Sequence, residues 1–110
     1  MKVLTIKGTN LAQQLIADKF NPVITQIDTV AYNKDGSKVS GKGSTLSING
    51  EVVVLAQRSE LELHDDVLEQ RIIGSGDSAI EYTCLKGIDV KEEDFVHDAY
   101  TYDGSTWAAV

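Results

Sequence analysis

The alternation of apolar and polar positions predicts a chain that is built mainly from β-strands. Residues 23–30 are rich in β-branched side chains, which are typical of strands. Residues 51–56 include the longest apolar run and predict a strongly buried strand, whereas residues 80–84 alternate as a half-buried strand does. We expect the following eight residues to contribute to the core: Val23, Ile27, Val53, Leu55, Ile80, Tyr82, Cys84 and Trp107.

Turn signals divide the predicted strands at regular intervals. Asp103-Gly104 lies between alternating aromatic and β-branched residues, which is a strong signal for a hairpin. Asn49-Gly50 and the cluster Gly74–Asp77 supply further turns. Short strands at this turn spacing predict a single domain over residues 1–110, folded over residues 23–110 as a small antiparallel β-barrel or sandwich.

Residues 10–20 carry the one helical pattern in the chain. Asn10 and Gln13 are spaced as in a capping box, and apolar residues then recur at helical spacing. Asn21-Pro22 ends the pattern, because the residue before a proline is disfavoured in the α region. The sequence therefore predicts a short N-terminal α-helix whose apolar stripe must dock on the rest of the domain or on a neighbour.

The segment from about residue 33 to residue 50 is rich in glycine, serine and lysine and poor in apolar side chains. This composition predicts a long mobile loop, because glycine leaves the backbone free and few residues are able to anchor the segment in a core. An extended hairpin is the alternative. Three lysines of this segment are candidates for contact with a channel lumen or a partner: Lys34, Lys38 and Lys42.

Charge is divided unevenly along the chain, whose formal net charge is -7. Residues 1–58 carry seven Lys or Arg against four Asp or Glu, and residues 59–110 carry three against thirteen. A protein that binds nucleic acid through its phosphates needs positive charge over most of the contact surface, so sequence-specific nucleic-acid binding is not expected. The acidic half is interpreted as a solvated surface, and the alternative is a surface that repels DNA or pairs with a basic partner.

Simple counts exclude three classes of protein. The longest apolar run, Val52–Ala56, is much shorter than the ~18 residues that a membrane-spanning helix needs. The residues that follow Met1 lack the apolar region of a secretory signal, so none is expected. The single cysteine, Cys84, excludes an internal disulfide and a zinc site built on paired cysteines.

No constellation of residues in the sequence favours an enzyme. His64 and His97 have acidic neighbours, but both are expected in exposed acidic segments rather than in a metal site. Cys84 falls on the apolar phase of its strand, which favours a buried thiol over a nucleophile. The glycines of Gly41–Thr45 lack the spacing of a phosphate-binding loop. We therefore expect no catalytic, metal-binding or cofactor-binding residues.

Five segments, taken in order, carry a resemblance over most of residues 11–110: Leu15–Val23, Tyr32 with Gly36, Val52–Val54, Ile72–Asp77 and Asp103–Val110. Their order resembles the small neck proteins of tailed bacteriophages, which are described as head-completion, head–tail joining or stopper proteins. In that family a short helix and a Lys-Phe element precede the first strand, and an Asp-Gly hairpin ends the domain. Glu69-Gln70 departs from the Asp-Gly of the family at that position.

The resemblance implies a structural virion protein that catalyses no reaction. Such proteins form a homo-oligomeric ring, of six or twelve copies, between the portal or adaptor above and the tail terminator or tail protein below. The ring retains the packaged DNA, makes transient non-specific contact with it in the channel, and provides the surface on which the tail docks. The expected locations are the neck of the virion and, during assembly, the host cytoplasm, with no membrane partner.

The predicted helix and the division of charge also suggest where copies of the chain meet. We expect the isolated chain to be a monomer that forms its ring on a neighbour, through head-to-tail contacts that opposite charges favour. The candidate subunit-interface residues are Leu11, Leu15, Arg58, Glu60 and Glu62. Two other functions stay open: an acidic DNA-mimic inhibitor, and an unrelated small β-barrel that serves as a binding module.

Overall fold

The structure, a computed structural model, describes all 110 residues and contains ten strands in four antiparallel sheets. Strands account for 55% of the chain and helical turns for 8%, so the prediction of a mainly β fold is confirmed. The strands are β1 (Lys2–Ile6), β2 (Ala12–Ile16), β3 (Val23–Tyr32), β4 (Lys38–Ile48), β5 (Glu51–Ala56), β6 (Leu61–His64), β7 (Leu68–Ile73), β8 (Ile80–Leu85), β9 (Tyr100–Tyr102) and β10 (Trp107–Ala109). Single 3-10 turns lie at Asp18–Phe20, Gly76–Ser78 and Glu92–Asp94.

Strand β1 is the centre of the body of the molecule. It pairs antiparallel with β2 on one side and with β6 on the other. Val3 and Leu4 follow one another in β1, so their side chains lie on opposite faces of this sheet, and both are buried. Val3 packs in a cluster with Tyr102 and Trp107, and Leu4 packs in a second cluster with Leu46. The two faces of one small sheet therefore carry two small cores.

Different elements cover the two faces of this sheet. The β9–β10 hairpin covers the face that carries Val3, and the Trp107 indole Nε1 donates a hydrogen bond to the carbonyl oxygen of Val67 at 2.8 Å. The base of the β3–β4–β5 sheet covers the opposite face through Leu46 and Val54. The rest of this sheet extends beyond the body, because the central sheet is much shorter than β3 and β4.

The molecule is long and thin for its size. Its principal extents are 69 × 30 × 19 Å, and its radius of gyration is 17.6 Å. A compact domain of this length has a radius of gyration of about 13 Å. Only 15 of the 110 residues are buried, so much of the apolar surface of the chain has no cover within the chain itself.

Of the predicted barrel or sandwich, the structure shows no closed barrel, because the four sheets remain separate and none of them closes on itself. The sheets have two or three strands each, and the β3–β4–β5 sheet keeps both of its outer strands as edges. A β-bulge in β5 leaves Val53 without a partner, since Leu46 pairs with Val54 and Ser47 with Val52. A bulge of this kind distorts an edge and opposes its pairing with another strand.

The predicted helix at residues 10–20 is also wrong. Ala12–Ile16 forms β2, and Asp18–Phe20 forms only a 3-10 turn, so the structure has no N-terminal α-helix. The β1–β2 register skips Gln13, because Leu4 pairs with Gln14 and Thr5 with Ala12. This irregularity places Ala12 and Leu15 on one face of the strand. A strand with a bulge has thus reproduced the three-residue apolar spacing of a helix.

The predicted mobile loop at residues 33–50 is mostly a strand. Lys38–Ile48 forms β4, and only the turn at residues 33–37 and the turn at Asn49-Gly50 are outside regular strands. The glycines in β4 have a packing role: a Cβ added to Gly43 would lie 2.3 Å from the carbonyl oxygen of Ala56. Glycine in a strand often marks such a close approach of another backbone segment, so this composition did not indicate a loop.

The core prediction is right for Cys84 and Trp107, which are both buried. Four other predicted core residues are between 54% and 65% exposed: Val23, Val53, Leu55 and Ile80. The remaining two, Ile27 and Tyr82, are half-buried. Both faces of the long strands carry apolar residues, and only the base of each strand reaches the body, so alternation alone did not locate the core.

Candidate interaction surface

The hairpin of β3 and β4 forms an arm that has only two strands. Ala56 is the last residue of β5 and pairs with Ser44, so residues 27–43 extend past β5 as a ribbon, which we call the first arm. A two-stranded hairpin in water is marginally stable on its own. The first arm therefore has the form of an element that gains stability from a further contact.

A groove of about 640 Å³ lies beside the first arm and is called the groove below. Its walls come from the arm and from the segment that leaves β5 at residues 55–58. The register places Ile27, Ala31 and Val39 on one face of the arm, where Ala31 lies directly opposite Val39 and the Thr29–Gly41 pair separates them from Ile27. Leu55 and Arg58 lie on the other wall. The groove thus combines apolar side chains with polar ones such as Thr29 and Gln57, and Lys42 and Arg58 are the basic residues of its lining.

The hairpin of β7 and β8, residues 68–85, projects as a second two-stranded ribbon, which we call the second arm. Its far end carries Ile72, Ile73 and Ile80, which are 69%, 55% and 65% exposed. Ile73 pairs directly with Ile80 across the ribbon, and Glu81 pairs with Ile72. Such a concentration of exposed isoleucine on a short hairpin is typical of a surface that contacts another protein.

The three candidate lysines do not lie on one mobile loop. Lys34 is in the turn at the tip of the first arm, and Lys38 begins β4 opposite Tyr32. Neither lysine has an ion pair within the chain, whereas Lys42 pairs with Asp28 across the ribbon. The tip of the first arm therefore presents two free ammonium groups, and the third lysine is held near the base of the arm.

The five candidate subunit-interface residues lie on different elements: Leu11 and Leu15 just before and within β2, Arg58 and Glu60 between β5 and β6, and Glu62 in β6. Leu15 packs against the cluster that contains Trp107, and Leu11 forms an isolated bridge with Thr101. Glu60 accepts a hydrogen bond from Lys7 at 3.1 Å, and the Glu62 carboxylate lies 3.5 Å from His64 Nε2. Leu15 thus contributes to packing within the chain, and Leu11 contributes to its backbone pairing.

Arg58 is the interface candidate that reaches the groove, where it lies beside Leu55. Its side chain is exposed and has no ion pair or side-chain hydrogen bond in the chain. A guanidinium group with no partner at the side of an apolar groove is available to a carboxylate from another molecule.

The base of the second arm is fixed by a polar cluster around Glu69. One Glu69 oxygen, Oε1, accepts hydrogen bonds from the Gly87 backbone N–H at 3.0 Å and from Arg71 at 2.8 and 3.0 Å. These donors hold the pKa of Glu69 below its usual range, the Gly87 N–H having the largest effect. The Tyr82 hydroxyl donates to Asp89 at 2.6 Å, which raises the pKa of Tyr82. The cluster ties the arm to the segment that follows β8.

Cys84 lies opposite Glu69 in the β7–β8 register and is buried. Burial raises the pKa of the Cys84 thiol, and a protonated thiol is a poor nucleophile. The Sγ atom lies 4.0 Å from Glu69 Oε1. Cys84 is therefore a buried thiol beside the Glu69 carboxylate.

The Glu69 cluster predicts a defined loss of stability in acid. Because the folded state lowers the pKa of Glu69, its contribution is present above the usual glutamate pKa of 4.5 and is lost as the pH falls below that value. In urea unfolding between about pH 6 and about pH 3, Glu69→Gln should show a smaller fall in midpoint than the unmodified chain.

Glu81→Gln is the matched control, because Glu81 lies on the same arm without an ion pair or hydrogen bond. This variant should keep the pH dependence of the unmodified chain. Equal acid sensitivity of the Glu69→Gln variant and the unmodified chain would contradict the assigned role of Glu69.

The two histidines have different surroundings. His64 does not lie in an exposed segment: its Nε2 is 3.1 Å from the Thr5 hydroxyl, and its ring packs edge-on against Tyr102 at 5.4 Å. His97 is exposed and lies 3.3 Å from Asp98.

No group of three or more His, Cys, Asp or Glu side chains in the structure is placed to hold a metal ion. None of the 3-10 turns has the length or apolar character of a membrane-crossing helix.

Sequence reasoning missed the two arms as a pair of exposed apolar surfaces. The available signal was that apolar residues occupy both faces of β3 and the tip of the β7–β8 hairpin, close to turn residues. In a 110-residue chain, strands of ten and eleven residues are longer than a small body is able to cover.

Comparison of the chain with protein-family models, with curated proteins and with solved structures finds no match.

Proposed function

We propose that this chain is a structural subunit that assembles with copies of itself, and that the assembly is a ring in the neck of a tailed bacteriophage. The observation that carries the proposal is the elongated shape with two apolar, two-stranded arms. A small body with two uncovered arms fits a protein whose fold is completed by its neighbours. Exposed apolar patches of this kind mark protein contact sites in soluble proteins.

The proposed neighbours follow from the order of sequence elements that resembles the neck proteins. A portal or adaptor protein lies above the ring, and a tail terminator or tail protein lies below it. The ring retains the packaged DNA and provides the docking surface for the tail. In this arrangement no residue of the chain acts in catalysis and no cofactor is needed.

The tip of the first arm supplies the proposed contact with DNA in the channel. Lys34 and Lys38 lie there without ion-pair partners in the chain, and the backbone around them is a defined hairpin. Repeated once per subunit, the tips present a circle of ammonium groups, and multiple weak contacts then act together. The remaining surface is strongly acidic, so it repels phosphates and lets the duplex slide.

Electron microscopy of purified phage particles that encode the chain tests this proposal. An antibody fragment against the chain should label the junction of head and tail, with the same number of copies in every particle. Particles that lack the chain should lose their DNA or their tails, because the proposed ring is needed for both. Labelling that is absent from the junction would overturn the proposal, and recovery of the chain on a basic nuclease instead would favour a DNA mimic.

A further inference from the structure

The groove and the second arm are two uncovered surfaces of the same chain. The groove is concave and has a basic residue at its side, whereas the second arm projects and carries acidic residues. We propose that the far end of the second arm of one copy lies in the groove of the next copy. The contact is heterologous, because two different surfaces meet, and it is able to repeat from copy to copy. The inference rests on the proposed function only in taking the chain to assemble with itself.

Both surfaces carry exposed apolar side chains. The groove offers Val39 and Leu55 as exposed apolar side chains and Ile27 as a half-buried one. The second arm offers three exposed isoleucines within one narrow two-stranded ribbon. Insertion of a ribbon into a groove buries both sets at once, and each apolar side chain so buried contributes to association.

The charges of the two surfaces are opposite. The groove has the free guanidinium group of Arg58 at its side, and Lys38 lies at the tip of the first arm without an ion pair. Between Arg71 and Lys86 the second arm has no basic residue but carries two exposed acidic residues without ion pairs, Asp77 and Glu81. Opposite charges at the edge of an apolar contact steer encounter and fix its register.

The same charges disfavour symmetric contacts between like surfaces. Two second arms would bring Asp77 and Glu81 of both copies together, and two grooves would bring the two Arg58 side chains together. Like charges placed opposite one another are destabilising at an interface. Pairing through the free edge of β5 is opposed by its bulge at Val53. The head-to-tail contact is thus the arrangement that joins opposite charges.

Disulfide trapping in the full-length chain tests the contact, even if association is weak. One variant carries Val39→Cys in the groove, and a second carries Ile80→Cys on the second arm, both at exposed positions. Cys84 stays in place, because it is buried. After mixing in equal amounts with a copper–phenanthroline oxidant, the disulfide between the two variants should form at least tenfold faster than either homodimeric disulfide.

Two further variants control this experiment. Val96→Cys, at an exposed position outside both surfaces, should trap Ile80→Cys at least tenfold more slowly than Val39→Cys does. Adding Asp77→Lys and Glu81→Lys to the arm variant should reduce its trapping by Val39→Cys to the rate seen with Val96→Cys. Urea unfolding of each variant checks that it folds.

Three results would overturn the proposal: homodimeric disulfides that form as fast as the mixed one, equal trapping by Val39→Cys and Val96→Cys, or no trapping in any mixture. The neck assignment is tested separately by the particles. Selective trapping of a chain that is absent from phage particles would keep the contact and reject the neck. A chain that is present in the neck without selective trapping would reject this contact alone.

Discussion

Replacement of Trp107 with alanine is expected to lower the free energy of unfolding by about 3–5 kcal/mol, which is the range for removal of a large aromatic side chain from a core. Trp107 is 3% exposed, and its ring lies 5.1 Å from that of Tyr102 and 5.8 Å from that of Phe95. The variant also removes the hydrogen bond that the Val67 carbonyl oxygen accepts from the indole N–H. Urea unfolding followed by circular dichroism measures the change.

Tyr32→Ala is the control for this prediction, because Tyr32 is an aromatic residue of the first arm and is 71% exposed. Its effect on the isolated chain should stay within about 0.5 kcal/mol, as for most surface substitutions. Similar losses for the Trp107 and Tyr32 variants would show that the β9–β10 hairpin is not part of the core.

Replacement of Gly43 with alanine is expected to cost about 1–3 kcal/mol, as overpacking of a closely packed site does. The added Cβ would lie 2.3 Å from the carbonyl oxygen of Ala56 and 3.2 Å from the backbone carbon of Gln57. Both are backbone atoms, so the segment that leaves β5 must shift as a whole. Thermal unfolding of the isolated chain measures the effect, which should be a clear fall in Tm.

Gly41→Ala is the matched control, since Gly41 is two residues earlier in the same strand. Its added Cβ would meet only the Thr29 hydroxyl oxygen, at 3.1 Å. A side chain moves more easily than a backbone segment, so the loss of stability should be smaller than for Gly43→Ala. Equal losses at Gly41 and Gly43 would contradict the close approach of the two backbone segments.

The strands that the sequence predicted best are those with clear turns at their ends. The Asp103-Gly104 turn and the Asn49-Gly50 turn both join antiparallel neighbours in the structure. Turn residues act locally, because a positive φ at Gly50 or Gly104 is a property of that residue and its neighbours. Local signals of this kind are readable from a single sequence.

The strand that begins at Ala12 was missed for a different reason. Its apolar spacing depends on how β1 and β2 align, and the skipped residue, Gln13, produces a helix-like pattern. Such an irregularity is decided by pairing with a second segment, which a local pattern does not contain. The same applies to Gly43, whose neighbour Ala56 is distant in sequence but adjacent in space.

The candidate surfaces were less predictable than the fold. The sequence singled out Lys34 and Lys38 as candidate contact residues, which stays a prediction, and both are exposed; the isoleucines of the second arm were not singled out as a surface. Apolar residues in strands are expected to be buried, and only the overall shape shows that a small body leaves them uncovered. Exposure of an apolar strand is a property of the whole molecule.

The central position of β1 also sets an order of folding. The hairpins β3–β4 and β4–β5 are local in sequence, and hairpins of this kind form in about 1–10 μs. Strand β1 meets β6 only across all of the chain between them, and closing so long a loop is opposed by chain entropy. Early formation of the two hairpins shortens the span that β1 must close. We therefore expect β1 to meet β6 after hairpin pairing begins, and because a two-stranded hairpin is only marginally stable on its own, the arms gain their full stability when the body forms.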